Sequence, residues 1–369
     1  MAVTAGLPAY PWDSLTAAAE LARAHPDGIV DLSIGTPIDP VPEVVQAALR
    51  AAANSPGYPA TAGTAALREA AAGWLARRHG VRVDPAAVLP VVGSKEFIAW
   101  LPTLLGCGPG DVVVHPELAY PTYDAGVRLA GATAVAADSL VAVGPSRVRL
   151  VWLNSPSNPT GRVLPPEHLR KVVGWARDRG TIVASDECYI DLGWHGQPTS
   201  ILHSDACAGS HAGLLGVFSL SKRSNMAGYR AGFVAGDPDL VARLLEIRKH
   251  AGMMMPGPVQ AAVVAALSDD THADEQRARY AARRARLWPA LESAGWTVEE
   301  SAAGLYLWAA HPALDGWSSV QRLAEAGILV APGGFYGPRG VRHIRVALTA
   351  TDERIDAAVS RLGRLAEAA

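Results

Sequence analysis

The segment richest in chemically active side chains runs from Ser219 to Phe233 and reads SLSKRSNMAGYRAGF. Its lysine, Lys222, follows the hydroxyl residues Ser219 and Ser221 and precedes an arginine, Arg230, by eight positions. Hydroxyls and a guanidinium can together bind one phosphate, and a lysine amine can form an imine with an aldehyde. The ordinary alternative is a lysine in a solvent-exposed loop. The surrounding hydroxyls and arginine favour a site for a phosphorylated aldehyde.

Three further segments place polar residues at the ends of expected elements. The tripeptide Gly-Ser-Lys at 93–95 is typical of a helix start, whose backbone N–H groups can hold a phosphate. It lacks the earlier glycine of a nucleotide-binding P-loop. Residues 154–161, NSPSNPTG, predict a turn after a buried strand. Asp186 follows another such strand, where its carboxylate could bind a ligand or cap a helix.

These polar segments are carried by alternating strands and helices. Short apolar runs predict buried strands at residues 112–114, 150–153, 181–184 and 215–218, and an amphipathic pattern predicts a helix over 166–179. Such alternation indicates an α/β fold, in which helices cover both faces of a mainly parallel sheet. Ligands of such sheets bind at the carboxyl ends of the strands, where the polar segments stand.

The pattern of apolar and charged residues changes at about residue 274. We expect a basic helix over 277–286, apolar segments at 304–308 and 344–348, and a final helix over 351–365. This pattern predicts a smaller α+β domain. The basic helix is disfavoured as a nucleic-acid site because its arginines spread around the helix and alternate with alanine, which is typical of a solvated face.

Composition narrows the class of protein. Of 369 residues, 49% are apolar and 18% charged, and the net charge of −2 gives no electrostatic reason to bind nucleic acid or an anionic membrane. The three cysteines lack disulfide or metal-site spacing, which fits a reducing cytoplasm. No apolar stretch is long enough to span a bilayer, and residues 1–15 lack a secretory pattern. We therefore expect a cytoplasmic enzyme without a metal.

Taken together, these segments resemble the fold-type I aminotransferases, which depend on pyridoxal 5′-phosphate (PLP). The Ser219–Phe233 segment is similar to that family's lysine motif, and segments 93–95, 120–123, 154–161, 185–189 and 343–348 match other motifs in the family's order. The resemblance covers nearly the whole chain. It implies a large PLP-binding domain over 46–273, a small domain formed by 1–45 and 274–369, and a homodimer.

The resemblance also implies a role for individual side chains. The catalytic set is Lys222, which carries the cofactor and transfers a proton, Asp186, which binds the pyridine nitrogen, and Tyr189, which binds the phenolic oxygen. The cofactor-binding set adds Gly93, Ser94, Lys95, Tyr120, Asn158, Ser219, Ser221, Arg230 and, toward the neighbouring subunit's phosphate, Tyr58. The substrate-binding set is Gly35, Asn158 and Arg345.

Physical chemistry supports two of these roles directly. Lys222 must be neutral to accept a proton, so we expect burial and the cationic ring to lower its pKa. Arg345 offers a planar guanidinium that can fix a carboxylate in both position and orientation. Without the resemblance, Arg345 could be a surface arginine on an edge strand, and Tyr120 could be a core aromatic.

Within the family, the chain is closest to the actinobacterial N-succinyl-LL-2,6-diaminopimelate aminotransferases, on segments 10–13, 30–37, 152–163, 219–233 and 248–254. That likeness implies amino transfer between N-succinyl-LL-2,6-diaminopimelate and 2-oxoglutarate, with glutamate as product, in lysine and diaminopimelate biosynthesis. Charge alone suggests that Arg223, Lys95 or Lys249 binds the distal carboxylates of the succinylated substrate.

Several alternatives use the same machinery. Aminotransferases for aspartate, aromatic or branched-chain amino acids and PLP-dependent C–S lyases share the cofactor residues and stay open. A transcription regulator on this fold is disfavoured, because Gly35 follows Met1 too closely for an N-terminal DNA-binding domain. A nicotinamide enzyme is disfavoured, because no Gly-x-Gly-x-x-Gly opens a first strand–helix unit.

Overall fold

The computed structural model describes residues 6–144 and 147–367. The first five residues of segment 1–15, which was expected to lack a secretory signal, lie outside the described residues. The strands are β1 Val30–Asp31, β2 Val88–Val92, β3 Val112–His115, β4 Thr133–Ala136, β5 Val148–Asn154, β6 Ile182–Asp186, β7 Leu214–Ser219, β8 Ala231–Gly236, β9 Thr297–Glu299, β10 Tyr306–Ala310, β11 Ile328–Leu329, β12 Ala331–Pro332 and β13 His343–Ala347.

Helices connect and cover these strands. The α-helices are α1 Thr16–Arg23, α2 Glu43–Ala51, α3 Ala65–His79, α4 Ser94–Leu104, α5 Thr122–Leu129, α6 Pro166–Arg177, α7 Ser204–Cys207, α8 Leu220–Arg223, α9 Pro238–Ala251, α10 Gly257–Ser268, α11 Thr271–Ser293, α12 Gly316–Glu325 and α13 Asp352–Glu367. Short 3₁₀ turns cover Pro11–Leu15, Pro85–Ala87, Leu140–Val143, Ala227–Tyr229, Gly333–Tyr336 and Pro338–Gly340. Among the described helices, none is both long and apolar enough to cross a membrane.

The larger sheet holds the expected buried strands. Within the described residues it contains seven strands in the order β2-β8-β7-β6-β5-β3-β4. Strands β7, β6, β5, β3 and β4 pair in parallel, whereas β8 runs antiparallel to β2 and β7. The prediction of a mainly parallel α/β sheet is confirmed. The helix expected over 166–179 is α6, which ends two residues early, at Arg177.

Both faces of the larger sheet are buried because its strands are apolar on both sides. In β5, Val151 and Leu153 pack into one core, while Leu150 and Trp152 pack into the other. Alternate residues of a strand point to opposite faces, so a continuous apolar run supplies two cores at once. Helices α3, α6 and α10 complete the first core, and α4, α5 and α9 complete the second.

The ends of α9 show how local sequence sets a helix boundary. Asp237 caps the helix start by accepting hydrogen bonds from the backbone N–H groups of Asp239 and Leu240, and Pro238 occupies the first helical position. Gly252 ends the helix with a left-handed φ of 68°, which glycine adopts without steric cost. The helix so bounded packs on β2 and β8.

The smaller sheet lies in the C-terminal part of the chain. In the part of the chain that the structure describes, it has the order β12-β13-β10-β9 and is antiparallel. The apolar segments expected at 304–308 and 344–348 correspond to β10 and β13, and the expected final helix is α13. Strand β1 pairs with β11, so an N-terminal segment joins this region. The domain boundaries at 45/46 and 273/274 stay a prediction.

The basic helix is part of α11, and the prediction that its arginines form a solvated face is wrong for Arg283. This side chain is 1% exposed and donates to the two carboxylate oxygens of Asp39, at 2.7 and 2.8 Å. Its Nε donates to Asp352 at 2.9 Å. These partners lie 244 and 69 residues away in sequence, so a local charge pattern could not reveal them.

Candidate active site

A cavity of about 420 Å³ lies at the carboxyl ends of the parallel strands. Asn154, Asp186 and Ser219 end β5, β6 and β7, and all three line it. Because these strands are parallel neighbours, their ends meet at one edge of the sheet. Most residues of the predicted site line this cavity: Gly35, Ser94, Lys95, Tyr120, Asn158, Asp186, Tyr189, Ser219, Ser221, Lys222, Arg230 and Arg345.

One end of the cavity is rich in hydrogen-bond donors. Helix α4 starts at Ser94, directly after Gly93, whose φ is 80°, and the first-turn N–H groups of a helix lack intrahelical partners. The Arg230 guanidinium lies against Gly93, where a Cβ would overlap it. Ser219 and Ser221 also line the cavity. Hydroxyls, a guanidinium and a helix N-terminus are the donor set that a phosphate dianion requires.

Asp186 is a buried carboxylate, 3% exposed. Tyr123 donates to its Oδ2 at 2.8 Å, and the Cys188 backbone N–H donates to its Oδ1 at 3.2 Å. Burial raises the pKa of Asp186, and these hydrogen bonds partly oppose that rise. Residues 188–191 form turns, so the carboxylate does not cap a helix there. A carboxylate fixed in this way can bind a protonated ring nitrogen.

Lys222 stands on the short helix α8, and its side chain enters the cavity. Its Nζ donates to the backbone carbonyl of Gly35, which brings the expected substrate-facing turn against the lysine. Burial lowers the pKa of the Lys222 amine, and the positive charges of Arg345 and Arg230 lower it further. The pKa of the Lys222 amine is therefore lowered by the protein's own residues, in the direction expected from burial.

Arg345, on β13, is 2% exposed. Its Nη1 donates to Asn158 Oδ1 at 2.9 Å and its Nη2 to the Ser33 carbonyl at 2.7 Å. Its Nε is buried without a hydrogen-bond partner among the described residues. Residue 345 is thus a cavity arginine rather than a surface arginine on an edge strand. A buried cation with unmet hydrogen-bonding capacity favours an incoming carboxylate.

Tyrosines form another wall of the cavity. The Tyr189 hydroxyl lies 3.1 Å from that of Tyr306, and the Tyr120 ring stands at 89° to the Tyr123 ring. Burial raises the pKa of both Tyr120 and Tyr189. Both are therefore neutral phenols near neutral pH. They can donate a hydrogen bond or stack on a flat ring.

Arg223 does not reach the cavity, so the prediction that it binds a distal carboxylate is wrong. It is 3% exposed, and its Nε donates to Asp191 Oδ2 at 2.6 Å. Successive helical residues point about 100° apart, so the residue after Lys222 turns to the other side of α8. There its charge is neutralised by Asp191 rather than offered to a ligand.

The remaining predicted cations and Tyr58 occupy different places. Lys249 is exposed and lies 2.6 Å from Glu246, away from the cavity. Lys95 does line the cavity, and its Nζ lies 5.3 Å from the centroid of the Tyr10 ring. Tyr58 is 99% exposed and does not line the cavity of its own chain. Of the three candidates for distal carboxylates, Lys95 alone is suitably placed.

Sequence reasoning assigned no role to several cavity residues, including Tyr10, Trp12, Ile34, Cys188 and Tyr306. Cys188 lies in the motif at 185–189, and Tyr306 lies in the apolar segment at 304–308. Only the register of β10 against β13 shows that Tyr306 neighbours Arg345. Among the described residues, no cluster of three or more histidine, cysteine or carboxylate side chains could hold a metal.

The residues present fit a phosphorylated pyridine aldehyde. Donors suited to a phosphate, a buried carboxylate suited to a ring nitrogen and a lysine with a lowered pKa line one cavity. The unpartnered Nε of Arg345 adds a buried donor for a carboxylate. The fold and the cavity therefore define a PLP-dependent enzyme of fold type I.

Known proteins agree with this class. The family model described as aminotransferase class I and II matches residues 27–362. A probable aminotransferase of Mycobacterium tuberculosis is 64% identical, over 98% of this chain and 86% of its own length. The 4-dedimethylamino-4-oxo-anhydrotetracycline transaminase OxyQ of Streptomyces rimosus is 59% identical, over 96% of this chain and 99% of its own.

A solved aminotransferase structure is similar to this chain over nearly its whole length. The probable N-succinyldiaminopimelate aminotransferase of Thermus thermophilus superposes with a TM-score of 0.87 at 31% identity, covering 96% of this chain and all of that one. The chain belongs to the aminotransferase class I and II family, whose members depend on PLP and use amino acids and oxo acids as substrates.

Proposed function

We propose that this aminotransferase exchanges an amino group between N-succinyl-LL-2,6-diaminopimelate and 2-oxoglutarate, in lysine and diaminopimelate biosynthesis. Besides Lys222 and Arg230, two further cationic side chains line the cavity, the buried Arg345 and the exposed Lys95, and they are the supporting observation. Among the described residues, neither Arg345 nor Lys95 forms an ion pair with a carboxylate. Both substrates carry an α-carboxylate and a carboxylate far from the reacting carbon, which two separated cations suit.

In this function, Arg345 binds the α-carboxylate of the substrate through paired hydrogen bonds. Asn158 accepts a hydrogen bond from Arg345 and so holds the Nη1 end of the guanidinium. The Nζ of Lys222, whose pKa burial lowers, takes the proton from the substrate α-carbon. The Lys95 side chain binds the distal carboxylate at the exposed side of the cavity.

The other cavity residues hold the cofactor. When bound, PLP supplies an aldehyde for the substrate amine and a ring that accepts electrons. Asp186 binds the ring nitrogen and keeps it protonated, Tyr189 and Asn158 bind the phenolic oxygen, and Tyr120 stacks on the ring. The phosphate is held by the start of α4 after Gly93, with Ser94, Ser219, Ser221 and Arg230.

The active enzyme is proposed to be a homodimer. Tyr58 supports this inference because an aromatic side chain with 99% exposure is unusual on a folded chain. A second copy would cover this ring, and its hydroxyl would reach the phosphate held by the partner subunit. Each active site would then contain a residue from both chains.

One half-reaction tests the substrate. The PLP-loaded enzyme is mixed separately with N-succinyl-LL-2,6-diaminopimelate, glutamate, aspartate, phenylalanine and leucine, and the cofactor absorbance is followed. Rapid conversion to the amino form by the first two only is expected. Conversion by the others instead would retain the aminotransferase and reject this substrate. Release of ammonia and pyruvate from a sulfur amino acid, without the amino form, would indicate a C–S lyase.

A variant tests the role of Lys95 in the same function. In Lys95→Ala, the KM for the succinylated substrate and for 2-oxoglutarate should rise about tenfold, the effect of one lost charge-assisted hydrogen bond. The value of kcat should change little, and PLP occupancy is measured alongside because α4 also contributes to the cofactor site. Lys249→Ala is the matched control. An unchanged KM in Lys95→Ala would reject this assignment.

A second candidate function is amination of a ring ketone. The supporting observation is the 59% identity to OxyQ, together with the aromatic Tyr10 and Trp12 in the cavity wall, which could stack on fused rings. The amino form of the enzyme is mixed with 4-dedimethylamino-4-oxo-anhydrotetracycline. Recovery of the aldehyde absorbance would support this candidate, and an unchanged spectrum would exclude it.

A further inference from the structure

Tyr306 lies where several parts of the cavity meet. It begins strand β10, is 4% exposed and lines the cavity. The antiparallel register places Trp308 opposite Arg345 and Tyr306 opposite Ala347. Tyr306 and Arg345 are therefore diagonal neighbours on one face of the smaller sheet. The function proposed above assigns Tyr306 no role.

The ring of Tyr306 packs on the guanidinium of Arg345. The guanidinium carbon lies 3.9 Å from the Tyr306 ring centroid, closer than the 4.8 Å to the Tyr336 centroid. A cation enclosed over an aromatic face is attracted by the ring quadrupole. The hydrogen bonds of Arg345 to Asn158 and Ser33 fix its ends. The ring therefore restrains the remaining motion, the tilt of the guanidinium plane.

The hydroxyl of Tyr306 makes a separate set of contacts. It lies 3.1 Å from the Tyr189 hydroxyl, within hydrogen-bond distance. A Cβ at Gly35 would overlap the Tyr306 hydroxyl and ring, so the turn at Gly35 lies directly on this side chain. The carbonyl of the same turn accepts a hydrogen bond from Lys222. The Tyr306 side chain thus contacts Tyr189 directly, and it also packs on the Gly35 turn that binds Lys222.

We propose that Tyr306 is a positioning residue with two separable functions: its ring sets the plane of the Arg345 guanidinium, and its hydroxyl orients the hydroxyl of Tyr189. The proposal rests on the proposed carboxylate role of Arg345 and the proposed cofactor role of Tyr189. It does not depend on which amino acid is the substrate. Phenylalanine would keep the ring and lose the hydroxyl, and leucine would lose both.

The ring function is tested by binding of maleate, a dicarboxylate without an amino group, to the PLP-loaded enzyme. Tyr306→Leu should weaken maleate binding about tenfold, whereas Tyr306→Phe should stay within about twofold of the wild type. Wild-type affinity in Tyr306→Leu would overturn the ring function. Arg345→Lys is the reference: if that variant also binds maleate normally, the carboxylate role of Arg345 fails instead.

The hydroxyl function is tested by a pH titration of the visible absorbance of the PLP-loaded enzyme without substrate, which reports the proton on the Lys222 nitrogen. The Tyr306→Phe midpoint should rise by about half a pH unit, the effect of one modest hydrogen bond. A Tyr189 hydroxyl that is less well oriented stabilises the phenolic oxygen anion less, and so favours the protonated nitrogen.

Tyr336→Phe is the matched control for this titration. The Tyr336 ring also packs near Arg345, but its buried hydroxyl has no hydrogen-bond partner in the described part of the chain. Its midpoint should therefore equal that of the wild type. A wild-type midpoint in Tyr306→Phe, or an equal shift in both variants, would overturn the hydroxyl function. If Tyr306→Leu fails to fold, this titration still decides the hydroxyl function, and Tyr306→Met replaces Tyr306→Leu in the maleate test of the ring function.

Discussion

Burial governs the chemistry of this active site at the scale of single residues. Asp186 is 3% and Arg345 2% exposed, and each has fixed hydrogen bonds within the chain. Burial lowers the pKa of Lys222 and raises that of Asp186, so it disfavours the charged form of each. Burial thus favours the neutral amine that the proposed base requires, whereas the hydrogen bonds from Tyr123 and Cys188 to Asp186 oppose the effect of burial on that carboxylate.

Removal of Lys222 tests the central residue. If Lys222 has its proposed role, Lys222→Ala can neither attach the cofactor nor transfer the proton, so kcat/KM should fall by at least about three decades, roughly 4 kcal/mol of barrier. The absorbance of the lysine-bound cofactor should also disappear. Lys249→Ala, which removes an exposed lysine, should keep both properties. Activity of Lys222→Ala within tenfold of the wild type would contradict the assignment.

Glu187 makes the stability of the protein depend on pH. It is 1% exposed, and its Oε1 accepts a hydrogen bond from the Ile201 N–H at 2.7 Å. Burial raises the pKa of Glu187 from 4.5 to about 7. Because the folded protein holds this proton more tightly than the unfolded chain, the stabilisation is complete below about pH 4.5 and is lost as pH rises through about 7.

Glu187→Gln should remove that pH dependence while keeping an oxygen for Ile201. The free energy of unfolding of the variant, relative to the wild type, should therefore increase by about 3 kcal/mol between pH 5 and pH 8. Urea unfolding of the apoenzyme at both pH values measures it. The exposed Glu275→Gln serves as control, and a difference that is the same at both pH values would contradict the pKa of Glu187.

At the scale of elements, helix α11 holds two segments of the active site in place. Gln276 donates to Asp39 at 2.8 Å, four residues beyond the Gly35 turn, and accepts from Asn225 at 3.0 Å, three residues beyond Lys222. Further along α11, Arg283 binds Asp39 with two hydrogen bonds. The buried face of α11 thus supports the cavity, while Arg277 and Arg279 lie on its exposed face.

Arg283→Met tests that support. The variant leaves Asp39 with its carboxylate largely buried and unpaired with a cation, and removing one partner of a buried ion pair costs about 3–5 kcal/mol. Urea unfolding should show a loss of this size. Arg279→Met, which changes an exposed arginine of the same helix, should stay within about 0.5 kcal/mol of the wild type. Equal losses in the two variants would contradict the proposed role of the pair.

At the scale of the whole molecule, the cavity depends on both sheets. Lys222 follows a strand of the larger sheet, whereas Arg345 lies within the smaller one, and Gly35 belongs to an N-terminal turn between them in the cavity wall. The proposed substrate-binding residues therefore come together only when both regions are folded and packed. The proposed dimer extends this dependence to a second chain through Tyr58.

Tyr58→Phe tests the dimer and its active site together. Sedimentation should show a dimer for the wild type and the variant. The variant should bind PLP at least about tenfold more weakly, because a hydrogen bond to a charged phosphate is lost. Val141→Ala, at another highly exposed apolar side chain (86%), is the control. A monomeric wild type, or unchanged PLP affinity in the variant, would reject the proposal.

The sequence by itself determined the larger sheet and the edge at which its chemistry lies. The apolar runs at 112–114, 150–153, 181–184 and 215–218 all overlap strands of that sheet. Burial on both faces is a local pattern that can be recognised without knowledge of the partner strands. Asp186 and Ser219 line the cavity because parallel strands end at one edge.

Only the tertiary structure decided which distant side chains meet. Arg223 stands beside Lys222 in sequence yet turns away to Asp191, and Tyr306 meets Arg345 through the register of β10 on β13. A slip of one residue in that register would turn Tyr306 to the opposite face of its sheet. Helix rotation and strand register depend on packing between remote segments, which no local pattern of residues contains.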